Sequence, residues 1–100
     1  MNLYRLSQSV VSGWDTYSDC VVAAANEDEA RRIHPRTYSG GCEYRVTDQG
    51  RFEYRYSDAF KWEEDIDSWC TSVEDVHVEL LGVAVEGTTA GVICASFHAG

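Results

Sequence analysis

The sequence is short of lysine, proline and long apolar runs, and each shortage excludes a class of protein. Lys61 is the sole lysine among 100 residues, so clustered lysines that could contact phosphates are absent. No apolar run approaches the roughly 20 residues of a membrane helix, and the N-terminus lacks the apolar centre of a signal peptide. One proline and 44% hydrophobic residues are typical of a globular chain. We expect one soluble, cytoplasmic domain spanning residues 1–100, with no membrane contact.

Positive charge is also scarce, and the shortage is concentrated in one half of the chain. Residues 1–56 hold eight acidic side chains and seven arginines, whereas residues 57–100 hold nine acidic side chains and one lysine. The two segments therefore carry net charges of -1 and -8 out of the total of -9. Such a chain is not expected to bind nucleic acid directly. A basic protein is the natural electrostatic partner, although the charge is equally compatible with a role in solubility alone.

The four cysteines follow no metal-binding or redox spacing. Cys20, Cys42, Cys70 and Cys94 are separated by 22, 28 and 24 residues, so no pair has the short spacing of a zinc knuckle. Free thiols are the expectation for a cytoplasmic protein. We predict no cofactor and no metal site.

Two segments predict their own local structure. Asn26 is a helix N-cap, Glu29 completes a pattern like a capping box, and Pro35 ends the helix, so Ala30 and Ile33 face inward. The segment "CEYRVTDQGRFEYRY" predicts a hairpin around Asp48-Gln49-Gly50. The resulting pairs are Thr47–Arg51, Val46–Phe52, Arg45–Glu53, Tyr44–Tyr54 and Glu43–Arg55.

The remaining apolar segments predict strands. Residues 2–11, Cys20–Ala25 and Glu74–Val85 fit strands, and Gly82 permits a bulge. Gly91–Phe97 is apolar on both faces and is predicted to be a central strand. The expected fold is α+β: an antiparallel sheet of about five or six strands with one short helix on one face.

The segment "KWEEDIDSW", Lys61–Trp69, sets four carboxylates between two tryptophans. Trp62, Ile66 and Trp69 are spaced by four and three, which favours a short helix with these side chains on one face and the carboxylates on the other. An ordinary amphipathic helix with a solvated charged face explains the pattern. A protein-binding surface explains it equally. Its candidate partner-binding residues are Trp62, Glu63, Glu64, Asp65, Asp67, Trp69, Glu74 and Asp75, with Tyr56 and Phe60 nearby.

Four segments that span most of the chain resemble a family of small uncharacterised proteins of bacteriophages, prophages and their bacterial hosts. They are "MNLYRLSQ", "VVAAANEDEARRIHP", "EDVHVELLG" and "GVICASFHAG". Small acidic phage proteins resemble, as a class, factors that counter host defence, including anti-CRISPR proteins. The carboxylates of the acidic segment can replace phosphates in a groove lined by Lys and Arg. Together with the resemblance, they predict an inhibitor that acts as a nucleic-acid mimic and occupies the basic groove of a host nucleic-acid-binding protein such as a CRISPR effector subunit.

Other classes of function remain open. A phage structural or assembly accessory protein would use a sheet edge or the apolar hairpin face and would bind with little salt dependence. A small enzyme or metal-binding protein would need convergent polar groups. The sequence contains no nucleophile-elbow motif, and His77 with Cys70 is the pair of interest for catalysis. We predict that the protein is not an enzyme.

Overall fold

The computed structural model describes residues 1–38 and 41–99, and the strands of this part of the chain form two antiparallel sheets. The strands in this part of the chain are β1 Asn2–Ser7, β2 Thr16–Ala24, β3 Cys42–Val46, β4 Phe52–Tyr56, β5 Glu63–Glu64, β6 His77–Val83 and β7 Gly91–His98. One α-helix, α1 Glu27–Arg31, and two 3-10 turns, Pro35–Tyr38 and Val73–Asp75, complete the fold. The predicted antiparallel architecture with one short helix is confirmed.

The prediction of a single sheet of five or six strands is wrong. The strands form a four-stranded sheet in the order β6-β1-β2-β7 and a separate three-stranded sheet in the order β3-β4-β5. The difference arises because the edge of β4 is occupied by β5, through the pairs Glu53–Glu64 and Tyr54–Glu63.

The four-stranded sheet places its apolar side chains on the face that meets the rest of the chain. Leu6 pairs with Cys20 and Tyr4 with Val22 along β1 and β2, and all four side chains are buried. Paired residues share a face of an antiparallel sheet, so these four form one apolar layer. On the other side of β1, Gly82 pairs with Leu3 next to a shift in register, as its sequence position predicts.

The prediction that the last strand is central is wrong, since β7 lies at an edge of its sheet. Val92 and Ala95 pack against the core, but Ile93 and Phe97 remain largely exposed. The apolar residues on both faces of β7 therefore do not mean that the strand is buried on both faces. One face packs against the core and the other is exposed to solvent. The central strands are β1 and β2, which begin and end as Asn2–Ser7 and Thr16–Ala24 rather than at the predicted bounds.

The helix begins as its sequence predicts, but the prediction that Pro35 ends it is wrong, because it ends at Arg31 and Pro35 starts a 3-10 turn. The Asn26 side chain accepts a hydrogen bond from the Glu29 N–H at 2.9 Å, and the Glu29 carboxylate in turn accepts the Ala25 N–H at 3.3 Å. Ala30 is fully buried and Ile33 packs against the core. The helix therefore covers one end of the buried sheet face.

The hairpin is also confirmed: four of the five predicted pairs are in register from β3 to β4, and a backbone hydrogen bond joins the fifth, Thr47–Arg51. The Thr47 N–H donates to the Arg51 carbonyl at 2.9 Å, and Gly50 takes the left-handed conformation with φ 76°. The outer face carries the predicted ion pairs, Arg45–Glu53 at 2.7 Å and Arg55–Glu43 at 2.8 Å.

Both sheets contribute to one core. Phe52 of β4 and Trp69 lie in the same buried cluster as Leu6 and Val22. Backbone hydrogen bonds join the sheets through the segment that follows β5, since the Tyr17 N–H donates to the Ser68 carbonyl at 2.9 Å. The segment 65–73 is therefore packed between the sheets and is not a surface appendage.

Candidate functional site

The acidic segment Lys61–Trp69 does not form the predicted helix. Glu63–Glu64 is a short strand, and the Asp65 N–H donates to the Phe52 carbonyl at 3.0 Å. Trp62, Ile66 and Trp69 share no face, because Trp69 is 0% exposed whereas Ile66 is 68% exposed. The unsatisfied backbone groups at the edge of β4 favour an extended conformation over a helical turn.

Asp65 is buried, although the sequence places it among solvated carboxylates. Its Oδ2 accepts a hydrogen bond from Nε2 of His34, which is also buried. The Ser68 hydroxyl shares its one proton between the two carboxylate oxygens, at 3.1 and 2.9 Å, and the Ser68 N–H donates to Oδ1 at 3.4 Å. The buried charge is therefore satisfied by three hydrogen bonds within the chain.

The tautomer of His34 follows from its second nitrogen. The Arg36 N–H donates to Nδ1 of His34 at 3.0 Å, so Nδ1 is an acceptor and the proton resides on Nε2. The Tyr44 ring stacks on the imidazole with ring centroids 3.8 Å apart, and the Phe52 ring meets it edge-on at 5.4 Å. His34 is therefore a neutral imidazole enclosed by aromatic rings.

Burial and hydrogen bonding determine the charge of this pair. Burial lowers the pKa of His34 below its usual value, although the hydrogen bond and charge of Asp65 act in the opposite direction. Burial acts to raise the pKa of Asp65, but the hydrogen bonds and charge of His34 and the bonds from Ser68 outweigh it, so the pKa is lowered. At neutral pH the pair consists of an ionised carboxylate and a neutral imidazole.

The trio His34, Asp65 and Ser68 is not arranged for nucleophilic catalysis. A serine nucleophile requires its hydroxyl to donate to the histidine, whereas Ser68 donates to Asp65. Neither ring nitrogen of His34 is available to receive a proton, because Nε2 carries one and Nδ1 is occupied by the Arg36 N–H. The arrangement is a cross-link between the segment after α1 and the acidic segment.

We predict that the free energy of unfolding falls as the pH falls below about 6.5, because unfolded His34 binds a proton there and folded His34 does not. The slope reaches at most about 1.4 kcal/mol per pH unit for one proton. Asp65 adds a further loss below about pH 4, since its folded pKa is also lowered. Urea unfolding at a series of pH values between about 7.5 and 2.5 measures both.

The matched variants for this prediction are His34→Gln and His77→Gln. Glutamine at position 34 keeps a donor for Asp65 but does not titrate, so the slope near pH 6 should disappear. His77 is exposed, and its replacement should leave that slope intact. A wild-type stability that is constant across this range would contradict the assignment.

The exposed carboxylates of the predicted site are only partly free of counter-charges. Glu64 pairs with Arg51, and Glu63 accepts a hydrogen bond from the Tyr54 hydroxyl at 3.0 Å. Asp67 is exposed on the segment that leads into Trp69. Arg51 therefore neutralises one carboxylate of the predicted site.

Glu74 and Asp75 lie on the 3-10 turn Val73–Asp75 and are also exposed. The Glu74 N–H donates to the Ser72 hydroxyl at 3.3 Å, which caps the turn. A bridge between Arg51 and Ser72 sets this turn beside the strand end that carries the ion pair to Glu64. The turn therefore lies near the ion pair between Arg51 and Glu64.

Neither predicted tryptophan is an exposed binding residue. Trp69 is in the core, and Trp62 lies half-buried between the guanidinium groups of Arg45 and Arg55, at 4.2 and 4.6 Å from its ring centroid. These cation–π contacts explain why the hairpin arginines surround a tryptophan. Of the nearby aromatic residues, Phe60 is 99% exposed and Tyr56 is about half exposed.

The exposed tryptophan is Trp14, which the sequence did not single out. It is 77% exposed and separates two adjoining cavities at the end of the four-stranded sheet. The larger, about 640 Å³, is lined by Trp14, Asp15, Tyr17, Arg36, Asp67, Ser68 and Phe97. The smaller, about 330 Å³, is lined by Val11, Ser12, Gly13, Trp14, Thr16, Ser18 and His98. The available signal was an aromatic residue inside the turn-rich stretch Ser12–Asp19.

The pair Cys70 and His77 does not have the properties of a nucleophile and its base. Cys70 is fully buried, and this burial raises the pKa of its thiol to about 12, whereas His77 is exposed. The thiol therefore stays protonated at neutral pH. All four cysteines are free, and within residues 1–38 and 41–99 no cluster of His, Cys, Asp or Glu could hold a metal ion.

Comparison with protein families, with curated proteins and with solved structures finds no match to this chain. In the described ranges, no helix is long and apolar enough to cross a bilayer. The function is therefore argued from the surface itself.

Proposed function

We propose that this protein is a non-catalytic inhibitor that binds a basic, nucleic-acid-binding protein through its acidic surface. That surface comprises Glu63, Asp67, Glu74 and Asp75. The supporting observation is that these four exposed carboxylates lie on segments tied into the fold. The resemblance to small phage proteins supports a host partner, of which a CRISPR effector subunit is one class.

The backbone beneath the acidic surface is held at several points. β5 pairs with β4, Asp65 bonds to His34, and the Ser72 side chain caps the turn that carries Glu74. An ordered backbone loses less conformational entropy on binding than a mobile loop does. A fixed array of carboxylates can also approximate the charge spacing of a phosphate backbone.

Four residues of the sequence-based site are removed from this surface, and one of them is Trp62, which is packed against Arg45 and Arg55. Asp65 and Trp69 are buried, and Glu64 is engaged by Arg51. Reversing the charge of Asp65 would introduce an ammonium group into the core, so a loss of binding in such a variant would report unfolding. Tests of binding therefore require the exposed positions alone.

The test is capture of partners from a bacterial lysate at low and high salt. We expect Glu63→Lys with Glu74→Lys to abolish capture of basic proteins, because two attractive charges become repulsive. The matched control is Asp48→Lys with Glu86→Lys, which changes the net charge equally at exposed positions elsewhere. Capture should fall by at least tenfold between about 50 and 200 mM salt if several phosphate-like contacts are made.

Two outcomes would contradict the proposal. Equal loss in both double variants would mean that bulk charge, not this surface, attracts the partner. Unchanged capture by Glu63→Lys with Glu74→Lys, in a protein shown to be folded, would mean that the acidic surface does not bind at all.

A second candidate function is that of an assembly accessory protein, which the outer strand β6 favours. β6 is an edge strand, and Leu80, Leu81 and Val83 at its surface are 63%, 50% and 78% exposed. Exposed apolar edge strands pair readily with other chains. This function predicts association that persists at high salt.

We expect Val83→Lys to discriminate between the two candidates, because lysine on an edge strand opposes edge-to-edge pairing. If the second candidate is correct, the variant is monomeric in analytical ultracentrifugation at high salt while the wild type is not. If the acidic surface is responsible, Val83→Lys leaves salt-sensitive capture unchanged.

A further inference from the structure

The loop that carries Trp14 is held in place by a single side chain. The side-chain oxygen of Gln8, Oε1, accepts hydrogen bonds from the N–H groups of Val10 and Val11, both at 2.9 Å. Its amide nitrogen donates to the carbonyls of Val11 and Tyr17, at 2.8 and 2.9 Å. All four hydrogen-bonding positions of this side-chain amide, two acceptor and two donor, are therefore used by the loop. Trp14 is presented to solvent from an ordered backbone.

The next residue adds a second constraint. Asp15 has φ 60° and is, among the described residues, the non-glycine residue with a left-handed backbone. Aspartate tolerates this conformation better than most residues, but the conformation still carries a cost. The Asp15 N–H donates to the carbonyl of His98, and the Thr16 hydroxyl donates to the Gly13 carbonyl at 2.8 Å. These bonds fix where Trp14 and Asp15 stand at the cavity.

The larger cavity combines aromatic walls with carboxylates. Trp14, Tyr17 and Phe97 contribute ring surface, and the Tyr17 and Phe97 ring centroids are 4.7 Å apart. Asp15 and Asp67 contribute two negative charges. The volume of about 640 Å³ lies within the range of ligand sites.

One cation, Arg36, also lines this cavity. Its guanidinium carbon lies 5.9 Å from the ring centroid of Tyr56, on the side of the three-stranded sheet. Two carboxylates against one guanidinium leave a net negative charge in the cavity. Aromatic faces and net negative charge together favour a planar cation over an anion or a neutral group.

We propose that this cavity receives an arginine side chain from the basic partner, stacked on Trp14 and paired with Asp67. The inference rests on the proposed function, because that function supplies a partner rich in arginine. It adds a specific anchoring point to an otherwise diffuse electrostatic surface. Binding would thus combine charge steering by Glu63, Glu74 and Asp75 with one buried side chain at Trp14.

The test uses three peptides that differ in one side chain: acetyl-Gly-Arg-Gly-amide and its citrulline and glutamate analogues. Titrations are followed by two-dimensional NMR, with the Trp14 indole signal assigned from Trp14→Phe. We expect saturable shifts of that signal and of the Asp67 amide with the arginine peptide. The neutral citrulline peptide should bind about fivefold or more weakly, as expected for a lost charge over an aromatic face.

The variants separate this inference from the proposed function. Asp67→Asn and Trp14→Ala should each weaken the arginine peptide by about threefold or more. Glu63→Lys with Glu74→Lys should leave peptide binding intact while abolishing capture of the partner. Equal binding of the arginine and citrulline peptides, preference for glutamate, shifts confined to other residues, or no saturable shift would each overturn the arginine pocket. None of these results alters the outcome of the lysate experiment.

Discussion

Replacing His34 with leucine is expected to lower the free energy of unfolding by about 3–5 kcal/mol, the usual result of leaving one member of a buried pair without its partner. The Asp65 carboxylate would remain buried with hydrogen bonds from Ser68 alone. Leucine keeps most of the ring volume, so the loss reports the missing donor more than a cavity. Urea unfolding at neutral pH measures it.

Two further variants define the origin of this loss. Asp67→Asn changes an exposed carboxylate two residues away, and we expect it to change stability by less than about 0.5 kcal/mol. His34→Leu with Asp65→Leu removes both polar groups and should recover part of the loss, because a buried pair can be replaced by apolar residues at little cost. A single His34→Leu variant within about 1 kcal/mol of the wild type would contradict the cross-link.

The three tryptophans are expected to differ sharply when each is changed to alanine. Trp69→Ala should lower the free energy of unfolding by about 3–5 kcal/mol, because a fully buried indole leaves a large cavity. Trp62→Ala should cost about 1–2 kcal/mol through its lost contacts with Arg45 and Arg55. Trp14→Ala should change stability by less than about 0.5 kcal/mol, since its ring is mostly in water.

The same series tests which tryptophan can bind a partner. Thermal and urea unfolding of the three variants should rank them in the order Trp69, Trp62, Trp14. If Trp69→Ala were as stable as Trp14→Ala, the indole at position 69 would have to be exposed. That result would make Trp69 a candidate partner-binding residue again, in contradiction to its burial in the structure.

The features that were predictable from the sequence depend on neighbouring residues. The hairpin register follows from a three-residue loop ending in Gly50 and from alternation along each strand, and all five predicted pairs occur. The helix start follows from the Asn26 cap within one turn. Both are local consequences of backbone geometry.

The features that were not predictable depend on distant residues. Asp65 is buried because His34, 31 positions earlier, supplies a donor inside an aromatic enclosure. The spacing of Trp62, Ile66 and Trp69 favours a helix when the segment is considered alone. In the folded chain, the edge of β4 pairs with the start of this segment as an extended strand. Likewise, β7 is an edge strand because β2 is the one described strand that pairs with it. No local pattern contains this information.

The candidate site was predictable in part for the same reason. Glu63, Asp67, Glu74 and Asp75 are exposed, as expected of acidic residues without a buried partner. Trp14 was missed because a single aromatic residue in a turn has no periodicity to mark it.

The most direct test of the account is whether the protein and nucleic acid compete for one surface of the captured partner. The measurement is displacement of a labelled oligonucleotide from the purified partner as this protein is added. The account predicts full displacement by the wild type and none by Glu63→Lys with Glu74→Lys. Formation of a stable complex in which the partner holds both molecules at once would contradict it.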